Sequence, residues 1–317
     1  MSFAQMGFEL LKSRLAEGRP LVLDSDTGAS FRVRGVLLNS PGALGQLLRE
    51  RPAEVEAHYR AEIESRVDVL SALTADTTPR ALSEVGMEHR AAQLTGRAVE
   101  LALDAARELA RPIAVAGVLG SDMVSPMAAD RLHEELTEHA ARLAAAGCEL
   151  LVARGQGSRL GLMAAVVAAS RTELPTWAVV ECGPAGGNTV ESDPHELTEA
   201  LAEAGAQVLM FEVPHVEIGL RQLERFKSAL ETHGVFPGVL LAASESAVRG
   251  FDDPLSDPEH WVERAVDLSL GGARVIGGGA GTTEAHTHAL ALALGSLHPS
   301  IPTRRSDTEL DRDPGNW

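Results

Sequence analysis

Cysteine is nearly missing from this 317-residue chain: Cys148 and Cys182 are its only two. Two thiols cannot build a disulfide framework, so a reducing cytoplasm is the predicted setting. Apolar runs of membrane length are absent too. No stretch reaches the roughly 18 apolar residues that a spanning helix needs. The opening MSFAQMGFELLKSRLAEG sets Glu9 and Lys12 among apolar positions and reads as an amphipathic helix, not a signal peptide. Basic charge is also short. The chain has 28 Lys and Arg against 45 Asp and Glu, a net charge of −17. Nucleic acid and anionic membrane surfaces both need a basic face, so neither is an expected partner.

What is present is a rhythm. The hydrophobic content of 44% is that of a globular protein with a sizeable core. Eight short apolar runs recur: LVLD (21–24), VDVLSAL (67–73), PIAVAGVLG (112–120), ELLVAR (149–154), TWAVVE (176–181), QVLMFEV (207–213), GVLLAAS (238–244) and ARVIGG (273–278). They are nearly continuously apolar, as strands buried on both faces should be. Between them lie segments such as RAAQLTGRAVELALDAARELA (90–110), whose apolar residues recur at helical spacing. Gly147, Gly205 and Gly272 fall where helices should stop before the next strand. Eight strands alternating with helices predict an α/β fold, a parallel (βα)8 barrel of the triosephosphate isomerase type. An open doubly wound sheet is the runner-up. The first two units are long and predict insertions, as in 39–64. The expected organisation is one barrel over residues 1–300 and a flexible polar tail over 301–317.

In such a barrel, functional side chains lie at the C-terminal strand ends. In order these are Asp24 and Asp26, Thr74 and Asp76, Ser121 and Asp122, Arg154 and Gln156, Glu181 and Cys182, Glu212 and His215, Ser244 and Glu245, then the glycine run VIGGGAGTTEAH with Gly278, Gly279 and Thr282. The run precedes a helix, so its N–H groups suit a phosphate or carboxylate, although tight turning alone also explains the glycines. Asp24, Asp76, Glu181 and Glu212 could meet at one mouth, where oxygen ligands would select magnesium, calcium or manganese. His286 and His288, in the last helix, read as solvent-exposed.

The order of segments resembles the homocysteine S-methyltransferase family, that of betaine–homocysteine methyltransferase and of the homocysteine domain of cobalamin-dependent methionine synthase. LVLDSDTGASFRVRG resembles its first strand and turn, and GRAVELALDAAREL with PIAVAGVLG its second helix and third strand. ECGPAGG and ARVIGGGAGTTEAHTHAL resemble its fifth and eighth strand ends. The resemblance implies a methyltransferase barrel whose zinc is held by three thiolates. The matching positions here are Val213, Gly279 and Ala280, so all three zinc ligands are read as lost and neither metal nor other cofactor is expected. The family's strand-four Glu, which holds the homocysteine amino group, is matched by Arg154, whose planar fork suits a carboxylate or phosphate.

The expected function is therefore a methyltransferase-like enzyme acting without zinc on a small, anionic metabolite. Glu212, Glu181 or His215 would be its general base. Asp24, Asp26, Thr74, Asp76, Arg154, Gln156, Gly278, Gly279 and Thr282 would bind substrate. A salt bridge from Arg154 to Glu181 or Glu212 is the competing role for that arginine. The alternative function is a non-catalytic barrel serving as a ligand-binding or partner subunit. A homo-oligomer is left open.

Overall fold

The computed structural model describes residues 3–38, 40–109, 111–120, 128–155, 158–183, 193–244 and 257–297. Ser121, Asp122, Gln156, Glu245 and the tail over 301–317 lie outside these residues.

Eight parallel strands form the core: β1 (Leu21–Val22), β2 (Val69–Ala72), β3 (Ala114–Leu119), β4 (Leu150–Arg154), β5 (Thr176–Glu181), β6 (Ala206–Val213), β7 (Phe236–Leu241) and β8 (Val275–Gly278). Each pairs with its neighbour in sequence from β2 to β8, and β8 pairs with β1. The ring closes where Leu23, just past β1, bridges Val69 of β2. This is the (βα)8 barrel that the eight apolar runs predict.

The strands are apolar throughout because each faces two cores. One set of side chains, including Leu21, Leu23, Val152, Trp177, Met210 and Leu240, fills the barrel interior. The alternate set, including Val22, Leu70, Ala153, Phe211 and Ile276, packs under the surrounding helices. The floor is closed by α1 (Phe3–Ala16), which sends Phe8, Leu11 and Leu15 into the interior cluster. Burying Leu11 completely contributes about 2 kcal/mol. Arg14 fastens this plug with a two-pronged bond to Asp68 at 2.5 and 3.0 Å.

The long first units carry extra helices, as expected. Between β1 and β2 lie α2 (Thr27–Val33), α3 (Ala43–Glu50) and α4 (Pro52–Glu64). Asp26 caps α2 through Gly28 N–H, and Pro52 starts α4. Between β2 and β3 come α5 (Pro79–Ser83), a 3-10 turn (Glu88–Arg90) and α6 (Ala91–Arg107). Among the described residues one helix covers each later unit: α7 (Ala129–Ala146), α8 (Arg159–Ser170), α9 (Pro194–Glu203), α10 (Val216–His233), α11 (Pro258–Leu270) and α12 (Glu284–Leu297). Gly147, Gly205 and Gly272 take left-handed φ values of 102°, 105° and 104°, which lets α7, α9 and α11 stop sharply before the next strand.

One expectation fails here. His286 is 3% exposed, not solvent-facing, and meets Trp261 edge-on at 5.4 Å. It shares the buried stripe of α12 with Thr287, Leu290 and Leu294. His288 lies off that stripe and is exposed.

Candidate functional site

A cavity of about 350 Å³ opens at the C-terminal mouth of the barrel. Asp24, Asp26, Thr74, Asp76, Arg154, Glu212, Gly278 and Gly279 line it. They come from five strand ends, because parallel strands deliver their last residues to one rim. Thr282 lies beneath the rim, fully buried. Glu181 and His215 do not line the cavity. Glu181 ends β5 in register with Glu212, and His215 sits at the N-terminus of α10.

Most of the polar groups that line the cavity also hold the barrel together. Asp26 takes Gly28 N–H at 2.8 Å on one oxygen and Gly281 N–H at 2.9 Å on the other. It therefore ties the first loop to the last. Thr282 accepts from Asp26 N–H at 3.1 Å and donates to Gly279 O at 2.7 Å. The Thr74 hydroxyl accepts from Val118 N–H at 2.9 Å and joins β2 to β3. Asp76 is half-buried on the rim.

The glycine run is explained by close approach. A Cβ on Gly277 would stand 2.8 Å from Leu23 Cβ, and one on Gly279 2.9 Å from the backbone nitrogen of Ala242. The end of β8 is wedged between the ends of β1 and β7 with no room for side chains. Several of its N–H groups bond inside the protein: Gly278 donates to Asp24 O, Gly279 to Leu241 O, Thr282 to Gly279 O and Thr283 to His286 Nδ1. With Gly281 on Asp26, five N–H groups of the run are taken by partners within the protein.

The two sides of the mouth differ in charge. On the β4–β6 side, Arg154 and Glu212 form an ion pair, with each side chain 23% exposed. The strand register that leaves Glu212 facing Arg154 could not be read from sequence. Below them Cys182 is buried, and its thiol is pushed up to about 12 by burial, then by the Glu212 and Glu181 carboxylates.

On the β1–β2 side, Asp24 is 4% exposed. It accepts from Ser71 N–H at 2.6 Å and Ser71 Oγ at 2.8 Å. Burial pushes its pKa up, and the Ser71 bonds only partly offset this. Behind it is a carboxyl missing from the expected site residues, Glu62 of α4, which is fully buried. It accepts from Ser25 N–H at 3.3 Å and bonds the Ser25 hydroxyl. Burial raises its pKa most, and the Asp24 charge adds to the rise. A sequence signal for it existed. Val55, Tyr59, Glu62 and Ile63 share one helical face, so Glu62 is an acid on an apolar stripe.

The positions matched to family thiolates offer no donor. Val213 is 1% exposed in the layer between sheet and helices, and Gly279 has no space for a side chain. Among the described residues, no three His, Cys, Asp or Glu side chains group closely enough to hold a metal. This donor set does not fit a thiolate-bound zinc ion.

Comparison with known proteins agrees with the fold. A family model described as homocysteine S-methyltransferase matches residues 21–294. No curated protein matches. Among solved structures, the homocysteine methyltransferase MmuM from Escherichia coli is similar in its oxidised and metallated forms. The TM-scores are 0.71 and 0.70, at 19% identity over 89% of this chain and 99% of that one. The carboxyl transferase domain of Rhizobium etli pyruvate carboxylase is similar at a TM-score of 0.52 and 11% identity, over 87% of this chain and 44% of that one. At such identities these likenesses concern the fold. Among the described residues, no helix is long and apolar enough to cross a membrane.

Proposed function

The chain belongs to the homocysteine S-methyltransferase family, and from that premise we propose a methyltransferase-like enzyme that works without zinc on a small metabolite carrying an acidic group. The observation that carries this reading is the mouth itself. Where the family resemblance calls for three thiolates, Val213 is packed away and Gly279 meets backbone at 2.9 Å, while the cavity beside them is lined by Asp24, Asp76, Arg154 and Glu212.

The chemistry follows from those side chains. Without a metal, a thiol acceptor with a pKa of about 8.5 stays mostly protonated at neutral pH and needs a base. The Arg154–Glu212 pair is the resting arrangement. An acidic group on the ligand takes the guanidinium and releases the Glu212 carboxylate. Glu212 then accepts the acceptor's proton while the acceptor's lone pair forms the new bond to the methyl carbon. The donor departs with the old bonding pair. Glu181, one strand over, and His215 are reserve bases. Asp24 and Asp76 supply negative charge for a cationic group on the same ligand. Asp26, Thr74, Gly278, Gly279 and Thr282 form the frame. The two buried thiols suit a reducing cytoplasm.

A non-catalytic barrel is the second reading, favoured by the number of mouth donors already spent on internal bonds. Thermal-shift screening against amino acids, thiols, betaines and phosphorylated metabolites separates the two, followed by turnover assays on each hit. An acid-bearing ligand that is methylated supports the enzyme. Ligands bound but never turned over with any methyl donor support the binding subunit.

A further inference from the structure

Four oxygens behind the mouth form an unbroken chain. Glu62 Oε1 meets the Ser25 hydroxyl, Ser25 Oγ lies 3.1 Å from Ser30 Oγ, and Ser30 Oγ lies 3.0 Å from Glu284 Oε2. The chain ends at the surface, where Glu284 Oε1 takes Arg34 Nη2 at 2.6 Å and both side chains are about a quarter exposed.

Hydrogens can be counted along it. Three oxygen–oxygen contacts need three hydrogens, and two hydroxyls supply only two. The third must come from a carboxyl at one end. Glu284 is already paired with the Arg34 guanidinium. Glu62 is fully buried, and no cation pairs with it among the described residues. Its second oxygen and the neighbouring Thr287 hydroxyl are both buried without a full hydrogen bond. The competing arrangement points both hydroxyls outward. With Ser25 donating to Glu62 and Ser30 to Glu284, it leaves two lone pairs facing at 3.1 Å and an ionised carboxylate in the core with no cation paired to it among the described residues, which is the costlier state.

We propose that Glu62 is a positioning residue, a neutral carboxylic acid that donates to Ser25 and so leaves Asp24 as the ionisable carboxyl facing the ligand. This rests on the reading of the mouth as the ligand site. The groups facing Glu62 fit it. Asp24 approaches from the end of β1, and Glu284 and Thr287 from α12. Ser30 and Arg34 come from α2 and its end. His58, one turn earlier on α4, is held neutral by burial, with its pKa lowered to about 3. Burial is the largest influence on the Glu62 pKa and raises it, the Asp24 and Glu284 charges add to the rise, and the Ser25 and Thr287 hydroxyls offset it only in part. When Glu62 does ionise, its proton leaves by a shift along Ser25 and Ser30 to Glu284 and then to solvent.

Infrared spectroscopy of the full-length protein tests this without any ligand, so the result stands apart from whether the mouth binds one. At neutral pH the wild type should show a protonated-carboxyl C=O band that Glu62→Gln removes. Ser30→Ala, which leaves Ser25 free to donate to an ionised Glu62, should lower the pH at which the band disappears. The midpoint of Asp24, assigned with Asp24→Asn, should be unmoved by Glu62→Gln, because one neutral partner replaces another. A wild type without the band, or a band that survives Glu62→Gln, would overturn the proposal. So would a fall in the Asp24 midpoint in that variant, since it would show that Glu62 had been charged.

Discussion

On the β1–β2 side of the mouth, two carboxyls sit buried, bonded to the hydroxyl and N–H groups of Ser71 and Ser25, with no cation paired to them among the described residues. On the β4–β6 side, a carboxylate and a guanidinium meet at the edge of solvent. Both sides bring carboxyls to the mouth or just behind it, but they answer to different variables. The buried carboxyls answer to pH, because desolvation dominates them. The Arg154–Glu212 pair answers to a competing ion, because its charges are matched and partly wet. A barrel rim can thus carry a proton store and an exchangeable ion pair a few strands apart, with β8 as the seam between them.

The largest expected effect breaks the comparison on its buried side. Glu62 holds its proton in the folded state to a higher pH than in the unfolded chain. Its stabilising contribution is therefore complete below the unfolded pKa of about 4.3 and is lost as pH rises through the elevated folded value. Stability should fall by up to about 1.4 kcal/mol per pH unit from near pH 5 towards neutrality. Urea unfolding of wild type and Glu62→Gln over that range checks it, and the variant should show the shallower slope.

The seam comes next. Gly278→Ala should cost about 2 kcal/mol, since its Cβ would collide with the locked Thr282 hydroxyl and stand 2.9 Å from Ser25 Cα. A lower thermal midpoint is the readout, and no change would mean that the two sides are not wedged together there.

Arg154→Ala sharpens the exposed side. The stability loss should be about 1 kcal/mol, because solvent screens a pair 23% exposed on each side. Affinity for an acid-bearing ligand from the screen should fall tenfold or more. Unchanged affinity with lowered stability would make Arg154 a structural partner only.

The smallest effect is an absence of reaction. Cys182 and Cys148 are buried, with pKa values pushed up to about 12 by burial. Native protein at pH 8 should resist alkylation at both, as read by mass spectrometry, and rapid labelling of Cys182 would mean that the β5–β6 end opens.

The strands were legible because each buries two faces, and the rim followed from them because parallel strand ends converge. Asp24, Asp76, Glu181 and Glu212 could therefore be brought to one mouth on paper, with Arg154 pointing into it, and of these five Glu181 does not line the cavity. The choice between Glu181 and Glu212 as the arginine's partner could not be made, since it depends on register. Glu62 was overlooked because it lies on an inserted helix, away from any strand end. His286 was misread because the buried stripe of α12 begins with polar residues. The glycine run suited either an anion or a tight turn in sequence, and the close approach of β8 to Leu23 and Ala242 accounts for Gly277 and Gly279.

Elemental analysis of protein purified without chelator or histidine tag, beside a methionine-formation assay with several methyl donors, tests the thiolate-free mouth most directly. Val213, Gly279 and Ala280 offer no ligand atoms, so the expected result is no stoichiometric zinc and no methionine from homocysteine. One zinc per chain, or methionine formation abolished by a chelator, would contradict it.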